Sequence, residues 1–178
     1  MQTKVQNFIE TKQLLSKADI VIVGLSGGAD SVALLHVLNS LGYNCVAAHC
    51  NFKLRADESD RDENFVRTIS QEMRIPFQCI EFETVEYAQF NKISIEMAAR
   101  DLRYNWFSEL CVKFNAEAIA VAHHADDSIE TLLMNLVRGT GLRGMSGIPI
   151  RNGKVIRPLL CCTRAEIIEY LIKFDLTC

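Results

Sequence analysis

The segment at residues 26–31 combines residue types that can hold a phosphate group. Its members are Ser26, Gly27, Gly28, Ala29, Asp30 and Ser31. Two adjacent glycines let the backbone turn tightly and bring N–H groups close to anionic oxygens, and the serine hydroxyls can donate further hydrogen bonds. A carboxylate repels phosphate unless a cation lies between them, so Asp30 indicates either bound Mg²⁺ or a proton to be transferred.

The alternative for this segment is a plain strand-to-helix turn with a polar helix cap. The two serines, the aspartate and the flanking elements together favour phosphate binding over that alternative. The spacing matches neither Gly-x-x-x-x-Gly-Lys nor Gly-x-Gly-x-x-Gly, which disfavours a P-loop ATPase and a dinucleotide enzyme.

A second cluster of chemically active residues occupies positions 123–131. It contains His123, His124, Asp126, Asp127, Glu130 and Thr131. The last three have the spacing that places side chains on one face of a helix. Two histidines and three carboxylates at a helix entrance can bind a metal, hold an ammonium group or transfer protons. The alternative is that the acidic residues only complement the helix dipole. This explains the aspartates but not the whole cluster, so we favour a functional site.

Two further segments have a functional and a structural interpretation. One helix face is predicted to carry Glu96, Arg100 and Arg103. These residues either bind the substrate or form an exposed ladder of ion pairs. Residues 138–149 contain four glycines and two arginines, which suit either a loop close to a nucleotide or an ordinary connection.

The elements that must position these residues alternate between strands and helices. Apolar runs predict strands at 20–25, 45–50, 77–82, 118–122 and 154–160, and helical periodicity predicts helices at 31–41, 57–74, 94–114, 126–138 and 163–173. In the fourth of these helices, Leu132, Leu133, Leu136 and Val137 are expected to form a buried face. This order predicts an α/β fold with a mostly parallel open sheet and helices on both faces.

Composition narrows the class of protein. The chain has 178 residues, 49% of them hydrophobic, which suits one domain with a substantial core. Lys and Arg number 19 against 22 Asp and Glu, so the chain lacks the basic excess of a protein that grips nucleic acid unaided. The seven cysteines include no Cys-x-x-Cys pair, and no apolar run is long enough to span a membrane. We expect a soluble cytoplasmic protein.

The loop at 26–31 resembles the pyrophosphate loop, Ser-Gly-Gly-x-Asp-Ser, of the N-type ATP pyrophosphatases (PP-loop, adenine nucleotide alpha hydrolase-like). Within that group, residues 123–149 closely resemble the tRNA(Ile)-lysidine synthetase family. Further resemblance lies at 49–55, where Phe52 replaces a second family histidine, at 96–104 and at 157–160. It covers nearly all of residues 18–173.

The resemblance implies a ligase that uses ATP and Mg²⁺. It would join lysine to carbon 2 of the wobble cytidine of isoleucine tRNA with a CAU anticodon, through an adenylated base. The loop at 26–31 would bind ATP, and Asp30 would bind the metal. Arg100, or second Arg103, would contact ATP or the substrate carboxylate. Asp127 or Glu130, beside His124, would select the lysine ammonium and accept its proton.

The sequence is compatible with two other functions. One is 2-thiocytidine formation in tRNA, which normally needs paired cysteines, and the other is a non-catalytic nucleotide-binding module. Lysidine synthetases continue beyond the point that corresponds to Cys178, so residues 1–178 are expected to form one truncated catalytic domain without the family's tRNA-binding domains. The full-length protein is compatible with a homodimer.

Overall fold

The computed structural model describes residues 1–54, 57–139 and 147–176, without the side chains of residues 57 and 58. The helices are α1 (Gln2–Thr11), α2 (Ala29–Ser40), α3 (Asp57–Glu72), α4 (Thr84–Asn91), α5 (Ile95–Phe114), α6 (Ala125–Val137) and α7 (Arg164–Lys173). The strands are β1 (Ile20–Gly24), β2 (Asn44–Asn51), β3 (Phe77–Glu81), β4 (Ala118–Ala120), β5 (Arg151–Asn152) and β6 (Val155–Ile156), and a 3₁₀ turn spans Pro158–Cys161.

The strands form one sheet in the order β3-β2-β1-β4-β6-β5. Every neighbouring pair is parallel except β5 with β6, which confirms the predicted fold class. Strand order reverses between β1 and β4, because the chain adds β2 and β3 on one side of β1 and β4 on the other. In open parallel sheets a cleft opens at such a reversal, at the carboxyl ends of the strands.

Strand β1 is buried on both faces, as its continuous apolar sequence predicts. Val21 and Val23 pack in one core layer with side chains from α1, α2, α3 and α7. Ile22, which points the other way, packs with Phe107 and Leu110 of α5. The sheet is therefore covered by helices on both sides, and β1 lies buried at its centre.

The predicted strand at 154–160 is wrong in its second half. Strand β6 ends at Ile156, and Pro158 opens the 3₁₀ turn instead. Proline has no N–H to donate to a strand ladder, and its fixed φ suits the start of a helical turn. Helices α1 and α4 and the short antiparallel β5 were not predicted.

The predicted buried face of α6 is also wrong. Leu133, Leu136 and Val137 are exposed, and Leu132 is only partly buried. Within the part of the chain that the structure describes, α6 contacts chiefly the 3₁₀ turn and does not lie across the sheet. Helical periodicity shows that a helix has an apolar face but not what covers it.

No described helix combines the length and the apolar character that crossing a membrane would require.

Candidate active site

The loop at residues 26–31 joins β1 to α2 and is held by its own serines. The Ser31 hydroxyl donates to the Gly28 carbonyl at 2.8 Å and accepts from the Ser26 N–H and the Ser26 hydroxyl, both at 3.1 Å. Gly27 has φ +93°, a conformation that side-chain-bearing residues rarely adopt. Both serine hydroxyls therefore shape the loop in this structure.

The groups left to meet an anion are backbone N–H groups. Ala29 and Asp30 are the first residues of α2, and N–H groups at the start of a helix have no partner within the helix. The dipole of α2 adds a partial positive charge at the same place. The loop therefore presents backbone N–H groups at a helix N-terminus, the kind of group that binds anions in proteins, while its serine hydroxyls bond within the loop.

Asp30 sits at the mouth of this loop. Its Oδ1 atom is buried and has no hydrogen-bond partner among the described residues, whereas Oδ2 forms an ion pair with Arg164. A buried carboxylate oxygen without a partner is costly unless a cation or a proton completes it. Mg²⁺ commonly binds through one or two carboxylates together with substrate phosphates, so this oxygen fits the predicted metal position.

His124 is the N-cap of α6 and links that helix to the loop. Its ring Nδ1 accepts from the backbone N–H of Asp127 at 3.4 Å. The backbone N–H of His124 donates in turn to Asp127 Oδ2 at 2.8 Å. The Nε2 atom lies 3.6 Å from Asp127 Oδ1 and 3.9 Å from Asp30 Oδ2. Nε2 therefore faces one carboxylate of the phosphate loop and one of α6.

The other acidic residues of the cluster have different positions. Asp126 Oδ2 accepts from the Arg164 N–H at 2.6 Å and so joins α6 to α7. Glu130 is exposed one turn further along α6, outside these contacts. In the described part of the chain, no three His, Cys, Asp or Glu side chains are arranged to hold a metal. The structure thus brings Asp30, His124 and Asp127 together and leaves Glu130 apart.

A cleft of about 250 Å³ opens beside the loop, at the carboxyl ends of the central strands. Its walls include the loop, His123 and an aromatic side formed by Phe52, Tyr104 and Phe107. Gly24 lets the backbone approach this side, because an added Cβ would lie 3.1 Å from the Phe107 ring. An apolar wall next to an anion site suits a ligand with a flat ring and phosphates.

The two candidate arginines of α5 differ in position. Arg103 lines the cleft, with its guanidinium 5.2 Å from the centre of the Phe52 ring. Arg100 is exposed and lies 5.2 Å from the centre of the Tyr104 ring. Phe52 in turn stacks on Phe82 at 5.8 Å. The phenylalanine that replaces the family histidine is thus part of the cleft wall, and the geometry favours Arg103 over Arg100 for ligand contact.

His123 lines the cleft and lies near the Arg157 guanidinium. Burial lowers the pKa of His123, and the neighbouring Arg157 guanidinium lowers it further. Its Nδ1 is buried without a hydrogen-bond partner in the described residues. Arg157 is itself buried and donates to the Pro149 carbonyl at 2.7 Å. A neutral His123 is therefore available as a hydrogen-bonding group for a ligand in the cleft.

Sequence reasoning missed Arg164 as a site residue. It lies within the predicted helix at 163–173, and no local signal connects it to a loop more than a hundred residues earlier. The glycine-rich segment at 138–149 can be assessed only in part, since residues 140–146 lie outside the described residues.

Comparison with a model of the PP-loop domain gives a match over residues 1–177. The chain belongs to the PP-loop domain family. PP-loop domains use ATP, which agrees with the loop, the helix N-terminus and the adjoining cleft.

Similar curated proteins carry the name tRNA(Ile)-lysidine synthase. The protein of Parabacteroides distasonis is 57% identical over 92% of this chain and 37% of its own length. That of Chlorobaculum tepidum is 47% identical over 90% of this chain and 50% of its own length. The PP-loop chain therefore spans half or less of the length of these relatives.

Two solved structures share the fold. The U34-tRNA thiolase NcsA from Methanococcus maripaludis, with its [4Fe-4S] cluster, superposes with a TM-score of 0.77 at 19% identity, covering 99% of this chain and 63% of the other. The NH3-dependent NAD synthetase from Campylobacter jejuni gives 0.66 at 15% identity, covering 98% and 71%. At these identities the likeness supports the PP-loop fold alone.

Proposed function

We propose that this chain is the ATP-using catalytic portion of a tRNA(Ile)-lysidine synthase. In the proposed reaction, the oxygen on carbon 2 of the wobble cytidine of a CAU-anticodon isoleucine tRNA attacks the α-phosphorus of ATP and pyrophosphate leaves. The ε-amine of lysine then bonds to carbon 2, the bond from carbon 2 to oxygen breaks, and AMP leaves. Such a reaction belongs in the cytoplasm.

One observation carries the proposal. His124 Nε2 faces Asp30 of the phosphate loop and Asp127 of α6 at 3.9 and 3.6 Å, so the loop and the acidic cluster form one site. The 57% identity to a protein of that name over nearly the whole chain supports the same reaction.

Each part of the site has a task in this chemistry. The free N–H groups at the start of α2 hold the phosphates. Asp30 is the residue that would hold Mg²⁺, because its Oδ1 is buried and unpartnered among described atoms. A bound Mg²⁺ offsets the negative charge of the phosphates. Arg103 and the aromatic wall are placed to orient the nucleotide or the target base.

The lysine amine must lose a proton before it can attack, because free lysine is an ammonium at pH 7. Asp127 uses Oδ2 to cap α6, which leaves Oδ1 to attract the ammonium group. Glu130 lies one turn away on the exposed side and would meet only the outer part of a substrate. We therefore assign the ammonium to Asp127 first.

Thiolation is the weaker candidate, although the thiolase shares the fold. Iron–sulfur clusters are bound by cysteine thiolates. Burial raises the pKa of Cys50, which lines the cleft, to about 12, so that its thiol stays protonated at neutral pH. No group of three suitable ligands forms among the described residues.

The test is transfer of radiolabelled lysine to unmodified isoleucine tRNA in the presence of ATP and Mg²⁺. We expect Asp30→Ala to abolish the transfer, and Asp101→Ala, an exposed change on α5, to leave it unchanged. Label transfer that persists in Asp30→Ala would contradict the assigned site. Incorporation of sulfur from a sulfur donor in place of lysine would favour the thiolation function.

A further inference from the structure

Arg164 is the first residue of α7, yet its side chain reaches the phosphate loop. Its guanidinium pairs with Asp30 Oδ2, and its N–H donates to Asp126 Oδ2 at 2.6 Å. One residue thus touches both the loop and the start of α6. The side chain keeps 46% of its surface exposed, so solvent and ligands have access to it.

The backbone that carries Arg164 is firmly anchored. Thr163 and Glu166 form a capping box, and Glu166 also pairs with Lys4 of α1 at 2.7 Å. Further along, Tyr170 meets His36 of α2 at 2.8 Å. Helix α7 is therefore fixed against α1 and α2, and only the Arg164 side chain needs to move to change partners.

The phosphate loop has no cationic side chain of its own, and Arg164 supplies one. The loop contains no lysine, and Asp30 adds a negative charge where phosphates are expected. Arg103 lies against the aromatic side of the cleft, where its guanidinium is over the Phe52 ring. Arg164 is the described cationic side chain that contacts the loop itself, and guanidinium groups bind phosphate in a forked geometry.

We propose that Arg164 binds the pyrophosphate part of the nucleotide and that its pair with Asp30 is the ligand-free resting arrangement. This inference rests on the proposed function, since it needs a loop that accepts phosphates. When an anion enters beside the N–H groups of Ala29 and Asp30, the guanidinium turns from the carboxylate to the phosphate oxygens. Asp30 Oδ2 then loses its ion pair with Arg164, so the carboxylate whose Oδ1 would hold Mg²⁺ keeps its full negative charge.

The experiment is calorimetric titration of the chain with inorganic pyrophosphate, with AMP as a ligand that lacks the two terminal phosphates. Losing one charge-assisted hydrogen-bonding group weakens binding about tenfold or more. We expect that loss for pyrophosphate in Arg164→Gln, a smaller loss in Arg164→Lys, and unchanged AMP affinity in both.

The matched control is Arg151→Gln. Arg151 donates to the Leu14 carbonyl at 2.7 Å in a separate cleft lined by Glu10 and Asp19. The Arg151→Gln variant should bind pyrophosphate with the affinity of the wild type. Equal pyrophosphate affinity in Arg164→Gln and wild type would overturn the assignment, as would equal losses for AMP and pyrophosphate. A wild-type chain that binds no pyrophosphate would instead refute the proposed function from which the inference starts.

The ion pair between Arg164 and Asp30 is tested separately, through the pyrophosphate affinity of an Asp30 variant. Asp30→Asn removes the partner of Arg164, so pyrophosphate should bind more tightly in the absence of divalent cations. Part of that gain comes from lost repulsion and persists in any background. We expect the gain to be larger when Arg164 is present than in the Arg164→Gln background, and equal gains would contradict the exchange of partners.

Discussion

Replacing Ser31 with alanine should loosen the phosphate loop from inside. Ser31 is 4% exposed, and its hydroxyl joins both ends of the loop, since it donates to the Gly28 carbonyl and accepts twice from Ser26. Alanine keeps the helix and fits the space, because only an oxygen is removed. The change therefore isolates the hydrogen bonds from the packing.

The magnitude follows from those three contacts. A neutral hydrogen bond contributes about 1 kcal/mol net, and loop N–H groups that turn to water recover part of the loss, so we expect about 2 kcal/mol less free energy of unfolding. Ser26→Ala should lose only about 1 kcal/mol, because its hydroxyl makes one bond at 3.1 Å and accepts a longer one at 3.4 Å.

Urea denaturation measures both variants, with Ser108→Ala as the control. Ser108 is exposed on α5 and donates only to the Tyr104 carbonyl, so its loss should be within about 0.5 kcal/mol. Calorimetry with pyrophosphate then shows whether the loosened loop binds anions less tightly. A Ser31→Ala chain as stable as the Ser108→Ala chain would refute the scaffold role given to the serines.

Three further outcomes are expected. Asp127→Asn keeps a side-chain acceptor for the cap but removes the charge, so the KM for lysine should rise strongly with ATP binding nearly intact; equal losses for both ligands would indicate a folding or metal role. Burial keeps the folded-state pKa of His123 below that of the unfolded chain, so acidification below about pH 6.5 protonates the unfolded state first and lowers the free energy of unfolding. His123→Gln should flatten this acid limb in urea titrations between pH 5 and pH 8, by at most about 1.4 kcal/mol per pH unit, and an unchanged limb would contradict the assignment. Transfer RNA should bind this chain weakly and with a shallow salt dependence, log K falling by about 0.9 per phosphate contact for each decade of salt; tight, anticodon-specific binding with a steep slope would place the recognition surface within these residues.

The elements nearest the site were predictable because their signals are local. The apolar run of β1 and the two glycines after it announce a buried strand and a tight turn, and both are observed. Ser94 caps α5 by accepting from the Met97 N–H at 3.1 Å, as a serine before a helical pattern suggests. In these places one short segment contains all the information.

What the sequence could not supply is long-range pairing. The contact of Arg164 with Asp30 depends on how α7 packs against α2, and no residue spacing encodes it. The exposure of Leu133 on α6 likewise depends on what lies opposite the helix. The roles of the loop serines were open for a related reason, because a hydroxyl can donate inward to Gly28 or outward to a ligand, and only the folded loop distinguishes the two.

The most direct test of the account is the identity of the products made from ATP. The chain is incubated with ATP labelled at the α-phosphate, Mg²⁺, lysine and unmodified isoleucine tRNA, and the nucleotides are separated by chromatography, with Asp30→Ala alongside. Attack at the α-phosphorus predicts labelled AMP together with pyrophosphate in the wild type, and neither product above background in Asp30→Ala. Labelled ADP with inorganic phosphate would contradict the account, because it would mean that the loop positions the γ-phosphate and not the α-phosphate for attack.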